Sequence, residues 1–134
     1  MPSSPNTDSN SALRLHHLAV GTAEVEVLAR FYRELLGLSE HARHLDAQGR
    51  LRSIWLDLGG AVLMIERTER PPRRVDGVGS GPFLIAFRVS RAERARLEVE
   101  LEARGHAIES RTPFSSYSRD PDGNRIAISH HPES

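Results

Sequence analysis

A chain of 134 residues is sized for one domain that buries roughly two-thirds of its unfolded surface. Eighteen basic residues balance eighteen acidic ones, so no net field draws the protein to nucleic acid or to an anionic membrane. There is no cysteine and no lysine, which excludes disulfides, thiolate nucleophiles, cysteine metal sites and lysine Schiff-base chemistry.

The chain opens on a polar stretch, Met1 to Ser11, that lacks the apolar run of a signal peptide, and no later window approaches a membrane span. The expectation is a cytoplasmic protein with a disordered tail over residues 1–12. Leu13 to Gly21 alternates as a strand, with Leu15, His17 and Ala19 on one face and Leu18 and Val20 on the other. Val25, Leu28, Tyr32 and Leu35 then recur at helical spacing over Ala23 to Leu36, and Gly37 is placed to end that helix. Three short strands are expected next, near Glu40 to Leu45, Arg52 to Leu58 and Ala61 to Glu66. The turn segment Asp46-Ala47-Gln48-Gly49 and the Gly59-Gly60 pair separate them.

Prolines and glycines fill residues 67–82, which reads as a linker. After it the order begins again. Phe83 to Val89 reads as a strand, and Ser90-Arg91-Ala92-Glu93 as a capping box opening a helix that runs to Arg104. Strands are expected near Ala107 to Ser110, Phe114 to Arg119 and Asn124 to His130. The helix-ending glycines Gly37 and Gly105 stand 68 residues apart, so the chain is a repeat: unit 13–66, linker 67–82 and unit 83–131 of one domain. Two copies of strand, helix and three strands exclude a doubly wound parallel sheet. They predict an α+β fold in which each helix covers one face of a mixed sheet and the other faces enclose a cleft suited to a small molecule.

Two motifs add a resemblance. Leu15-His16-His17-Leu18-Ala19-Val20 with Phe31-Tyr32-Arg33-Glu34-Leu35-Leu36-Gly37-Leu38 resembles the opening of proteins of the vicinal oxygen chelate superfamily. That group comprises the glyoxalases, bleomycin resistance proteins and extradiol dioxygenases. Ile85-Ala86-Phe87-Arg88-Val89 and Asp120-Pro121-Asp122-Gly123-Asn124-Arg125-Ile126 resemble the family's second opening strand and its last hairpin.

The resemblance implies two βαβββ units around a cleft, often paired as a homodimer. In its metalloenzymes one ligand comes from the first strand and one from the last strand of each unit. Such ligands hold Zn, Ni, Mn or Fe with positions left open for substrate. Carried over, those positions are His17, fourteen residues before Phe31, and Glu66 in the first unit. In the second unit they are Leu84 and Ala127, which cannot donate to a metal. His17 and Glu66 are therefore the candidate catalytic and metal-binding pair. They would act either at an incomplete divalent-metal site or as a hydrogen-bonded general base.

Other residues complete the expected cleft. Alternation places Arg88 beside Leu84 and Arg125 beside Ala127, suited to a carboxylate, phosphate or enolate. Trp55 is read either as core or as an aromatic wall, and Tyr117 as a rim residue or proton donor. One of His41 and His44 is expected to enter the cleft, while His16 points away from His17 and His130 and His131 lie in a solvated tail. The charged helix from Arg91 to Arg104 reads as a solvated face. No glycine pattern for a nucleotide cofactor opens a helix after a strand. Two functions remain open: a glyoxalase-like lyase, isomerase or dioxygenase-related enzyme, and a protein that sequesters a drug or metabolite as bleomycin resistance proteins do.

Overall fold

The computed structural model describes residues 13–133, and the expected tail over residues 1–12 lies outside the described residues. The first unit contains β1 (His17–Thr22), α1 (Val25–Arg30), a wider π-helical turn (Phe31–Leu35), β2 (Glu40–Leu45), β3 (Leu51–Asp57) and β4 (Val62–Arg67). The second contains β5 (Ile85–Arg88), α2 (Arg91–Ala103), β6 (Ser110–Arg111), β7 (Ser115–Arg119) and β8 (Arg125–Ser129). Each unit folds into a four-stranded mixed sheet, in the orders β1-β4-β3-β2 and β5-β8-β7-β6. The first and last strands of each unit pair in parallel, and the other neighbours are antiparallel. The expected α+β architecture of two βαβββ units is what forms.

Helix faces follow the apolar periodicity. Ile54, Leu56, Leu63 and Ile65 have no exposed surface, and Leu18 and Val20 pack against them under the first helix. Ile126 and Ile128 play the same part under α2, with Leu97 and Leu101. The capping box at Ser90 is formed in both directions, with the Ser90 hydroxyl accepting from Glu93 N–H and the Glu93 carboxylate from Ser90 N–H. Gly105 takes a left-handed φ of 87°, which lets His106 N–H reach the Leu101 carbonyl at 2.8 Å and close the helix.

Two expected elements differ. The first helix is not uniform, because Phe31, Tyr32 and Leu35 are all buried and a regular α-turn would not direct both adjacent aromatic rings inward. The strand expected over Ala107 to Ser110 is reduced to Ser110–Arg111. Upstream, the Ala107 carbonyl accepts from the Ser118 hydroxyl and takes no part in a ladder.

Those two aromatic rings join the units into one core. Phe31 packs edge-on to His106 at 4.8 Å, and Tyr32 lies 5.9 Å from Phe87. The buried Tyr32 hydroxyl donates to Asp120 Oδ2 at 2.6 Å, in the turn between β7 and β8. Burial and the facing carboxylate push the Tyr32 phenol well above its ordinary range. Burial likewise raises Asp120, against the pull of hydrogen bonds from Tyr32, Asn124 and two backbone N–H groups. The helices therefore bring the units together through a shared interior, and each sheet keeps its other face open.

Candidate functional site

Alternation along β1 and β4 holds as expected: Leu18, Val20, Leu63 and Ile65 face the helix, and His17 and Glu66 share the open face. The two side chains are nevertheless not brought together. His17 lies opposite Val62 and Glu66 opposite Gly21, four register positions apart. At about 3.3 Å per residue that is roughly 13 Å along the sheet. His17 is exposed, and its Nδ1 lies 2.9 Å from His16 Nδ1, so His16 does not point away as expected. The expected His17–Glu66 hydrogen-bonded pair is not formed, because parallel pairing puts one residue at the start of its strand and the other near the end of its own.

The second unit explains the mismatch. Ala127, the counterpart of Glu66, pairs with Ala86, whereas Glu66 pairs with Gly21. Matching the two ladders therefore equates Gly21 with Ala86 and Ala19 with Leu84. Equating His17 with Leu84 instead makes Met64 the counterpart of Ala127, so His17 and Glu66 do not together occupy one matched pair of stations. A divalent metal does not fit either set, since each holds a single donor, Glu66 in one and His17 in the other. Among the described residues, no three His, Cys, Asp or Glu side chains cluster to hold an ion.

Glu66 has polar company of a different kind. Across the first sheet its neighbours in the same row are Ser53 on β3 and then His44 on β2. Irregular pairing after Glu40 sets His44, and not the exposed His41, in that row. Trp55 lies one row over, opposite Met64, half-buried with its ring 4.7 Å from His44. It belongs to the open face and not to the core beneath the helix. The Ser53 hydroxyl, the Trp55 indole N–H and His44 Nε2 are buried and lack a hydrogen-bond partner among the described residues.

The open face of the second sheet is smaller and drier at its centre. The row Ala86–Ala127–Tyr117 replaces Gly21–Glu66–Ser53. Arg125 lies beside it, with its guanidinium carbon 5.7 Å from the centre of the Tyr117 ring. Arg88 is exposed opposite Ser129 and takes no part in the cavity described next.

A cavity of about 620 Å³ lies where the C-terminal half of β1, the linker and the entry to β5 meet. Leu84, Phe83, Pro71 and Pro72 contribute apolar wall, and Arg70, Arg73, Arg125 and Asp122 contribute charge. Of the candidates named from sequence, the cavity takes Arg125 alone. Gly21 and Thr68 also line it, so Glu66, paired to Gly21, stands one strand from the wall.

The linker's part in this wall was not foreseen. The signal was present in Arg70-Pro71-Pro72-Arg73-Arg74, a cationic run stiffened by prolines rather than a plain spacer. Its course is fixed from β7, where Arg119 donates to the carbonyls of Val75 and Gly123 and lies 3.6 Å from Asp76. Two surface expectations also need correction. On α2, Arg94 is tied to Ser116, the carbonyls of Thr112, Pro113 and Ser115, and His130, so that face is not merely solvated. His130 itself is buried, held between Arg94 and the Glu133 carbonyl, and is not part of a solvated tail.

Among the described residues no helix is long and apolar enough to cross a membrane. No curated protein sequence matches the chain. Solved structures do, at low identity. A glyoxalase/dioxygenase from Nostoc punctiforme superposes with a TM-score of 0.72 at 20% identity, covering 96% of this chain and 94% of that one. A fosfomycin resistance protein from Listeria monocytogenes, solved with Mn(II) and 1S,2S-dihydroxypropylphosphonic acid, gives 0.72 at 16% identity over 87% and 91%. The lactoylglutathione lyase of Agrobacterium tumefaciens gives 0.61 at 22% identity over 89% and 94%. These likenesses establish the fold. The family profile for the Glyoxalase/Bleomycin resistance protein/Dioxygenase superfamily matches residues 14–128, and the chain belongs to that superfamily.

Proposed function

We propose that this protein binds a small molecule in the cavity between its two units and does so without a resident metal. The observation that carries the reading is the apolar-walled cavity at the Leu84 station, where a metal-using relative would place an imidazole. Its volume of about 620 Å³ falls in the range of small-molecule pockets. Binding without chemistry is the mode of the sequestering branch of the family, and Leu84 and Ala127 at the second unit's ligand positions suit it. The edge strands β1 and β5 and the resemblance together favour a homodimer, which light scattering behind gel filtration would register.

The test has two arms. N-phenyl-1-naphthylamine, a neutral aromatic that brightens in apolar surroundings, should bind saturably at one site per chain, and Leu84→Trp should abolish that binding by filling the cavity. Elemental analysis of protein purified without chelator should find no stoichiometric divalent metal. Saturable metal uptake that Glu66→Gln removes would overturn the metal-free reading, and absence of any probe binding would overturn the cavity.

A second reading keeps catalysis and rests on the buried, unpaired Ser53 hydroxyl directly across from Glu66. In that reading Glu66 is a general base for a small carbonyl compound at the cavity edge, with Ser53 and Trp55 as donors to the developing oxyanion. Turnover lost in Glu66→Gln with probe affinity unchanged would select it.

A further inference from the structure

Around the cavity the charges are unequal. Three guanidinium groups, Arg70, Arg73 and Arg125, line it against one carboxylate, Asp122, so the wall carries two net positive charges, three minus one, in a chain whose net charge is zero. Several other arginines are matched locally: Arg33 with Glu26 and Glu40, Arg67 with Asp46, Arg111 with Glu98, Arg119 with Glu109. The ion pairs among the described residues include none of the three cavity arginines. Arg125 is half-buried and held against the Tyr117 ring, so its head is positioned before any ligand arrives. Arg70 and Arg73 flank the Pro71-Pro72 pair, whose fixed φ angles keep their spacing from collapsing. The rest of the lining includes apolar residues, Phe83, Leu84 and Ile85 among them.

Cations and hydrocarbon in one lining define a ligand class. Resting on the cavity assigned above, we propose that the ligand is an amphipathic anion. Its carboxylate, sulfonate or phosphonate group is held by Arg70, Arg73 and Arg125, and its apolar body lies against Phe83 and Leu84. A guanidinium offers paired N–H donors matched to such oxyanions, and the half-burial of Arg125 strengthens its share of the contact. Asp122 disfavours a second, distant negative charge on the same ligand. A neutral ligand of the same shape would leave the half-buried Arg125 without a partner, and a cationic one would meet net repulsion.

Two probes with one body separate charge from shape. 1-Anilinonaphthalene-8-sulfonate and N-phenyl-1-naphthylamine share the anilinonaphthalene frame and differ by the sulfonate, and both are titrated by fluorescence into the full chain. At about 10 mM salt the sulfonate should bind at least about tenfold more tightly, and the gap should narrow on raising salt to about 500 mM, where screening shortens to a few ångström. The triple variant Arg70→Gln/Arg73→Gln/Arg125→Gln should close the gap while holding the neutral probe's affinity within about twofold. Arg96→Gln, on the exposed side of α2, should change neither probe. If the triple variant loses its folded circular dichroism spectrum, Arg125→Gln alone is used and should still narrow the gap.

A gap that survives these substitutions, or no preference for the sulfonate at all, overturns the anion assignment. Neutral-probe binding without sulfonate preference overturns it alone and leaves the cavity standing. Failure of both probes, or sulfonate binding untouched by Leu84→Trp, overturns the cavity and this inference together.

Discussion

The two sheets agree on the side that meets a helix and part company on the side that does not. Under the helices, Ile54, Leu56, Leu63 and Ile65 are answered by Ile126 and Ile128, and all are sealed from water. On the open faces, the row Gly21–Glu66–Ser53 is answered by Ala86–Ala127–Tyr117, which exchanges a carboxylate and a hydroxyl for two methyl groups and a phenol. The buried side answers to close packing, which accepts only a narrow set of apolar shapes. The open side answers to whatever occupies it, so a duplicated architecture carries two unlike surfaces.

The comparison can be broken first where the sheets agree. Ile65→Ala and Ile128→Ala should each cost about 3 kcal/mol in urea denaturation, because both leave a cavity in the one shared core. A cost below about 1 kcal/mol for either would mean that its unit does not take part in that core. Next comes the joint between the units. Tyr32→Phe removes the donor that faces the buried Asp120 carboxylate and should cost about 2 kcal/mol, with the circular dichroism spectrum retained.

The open faces should respond more weakly and with opposite signs. Ser53→Ala deletes a buried hydroxyl that has no partner and should stabilise the fold by about 1 kcal/mol, whereas Ala127→Ser adds one to the drier sheet and should destabilise it by a similar amount. The same sign for both would show that the two faces are not unlike in the way described.

The smallest effect distinguishes two turn aspartates. Asp46 accepts from Arg67 and from the N–H groups of Gln48 and Arg50, which hold its carboxyl at about 2, below the ordinary 3.8. A depressed folded value stabilises the protein above the unfolded value, and that contribution fades as pH falls from about 4 towards 2. Asp120 is raised by burial, so its ionisation works against stability as pH rises through the acid range. The advantage of the parent chain over Asp46→Asn in melting temperature should therefore shrink on acidification from about pH 5 to about pH 2.5.

What the sequence made legible was what repeats. Apolar spacing placed both helices, glycines marked their ends, and Ser90 with Glu93 announced a cap that forms as expected. Alternation also identified the open faces correctly at His17 and Glu66. Distance along a neighbouring strand was not legible, because it depends on which residue pairs with which. Counting back from Phe31 selects His17, while Glu66 pairs two residues further along β1 than a counterpart of Ala127 would, so two plausible ligands fall in different registers. Arg125 could be placed because it follows a recognisable turn. The linker arginines could not, since their position depends on Arg119 holding a segment that has no periodicity of its own.

That restraint on the linker bears on what binding costs. A wall made of loose chain would have to surrender backbone freedom when a ligand settles, at about 1 to 2 kcal/mol for each residue fixed. Here Pro71 and Pro72 have little freedom to surrender, and Arg119 has already fixed the course of Val75 and Asp76. Much of the ordering entropy is lost during folding rather than during capture. On the proposed reading, the cavity and its few charges draw affinity from preorganisation as much as from contact.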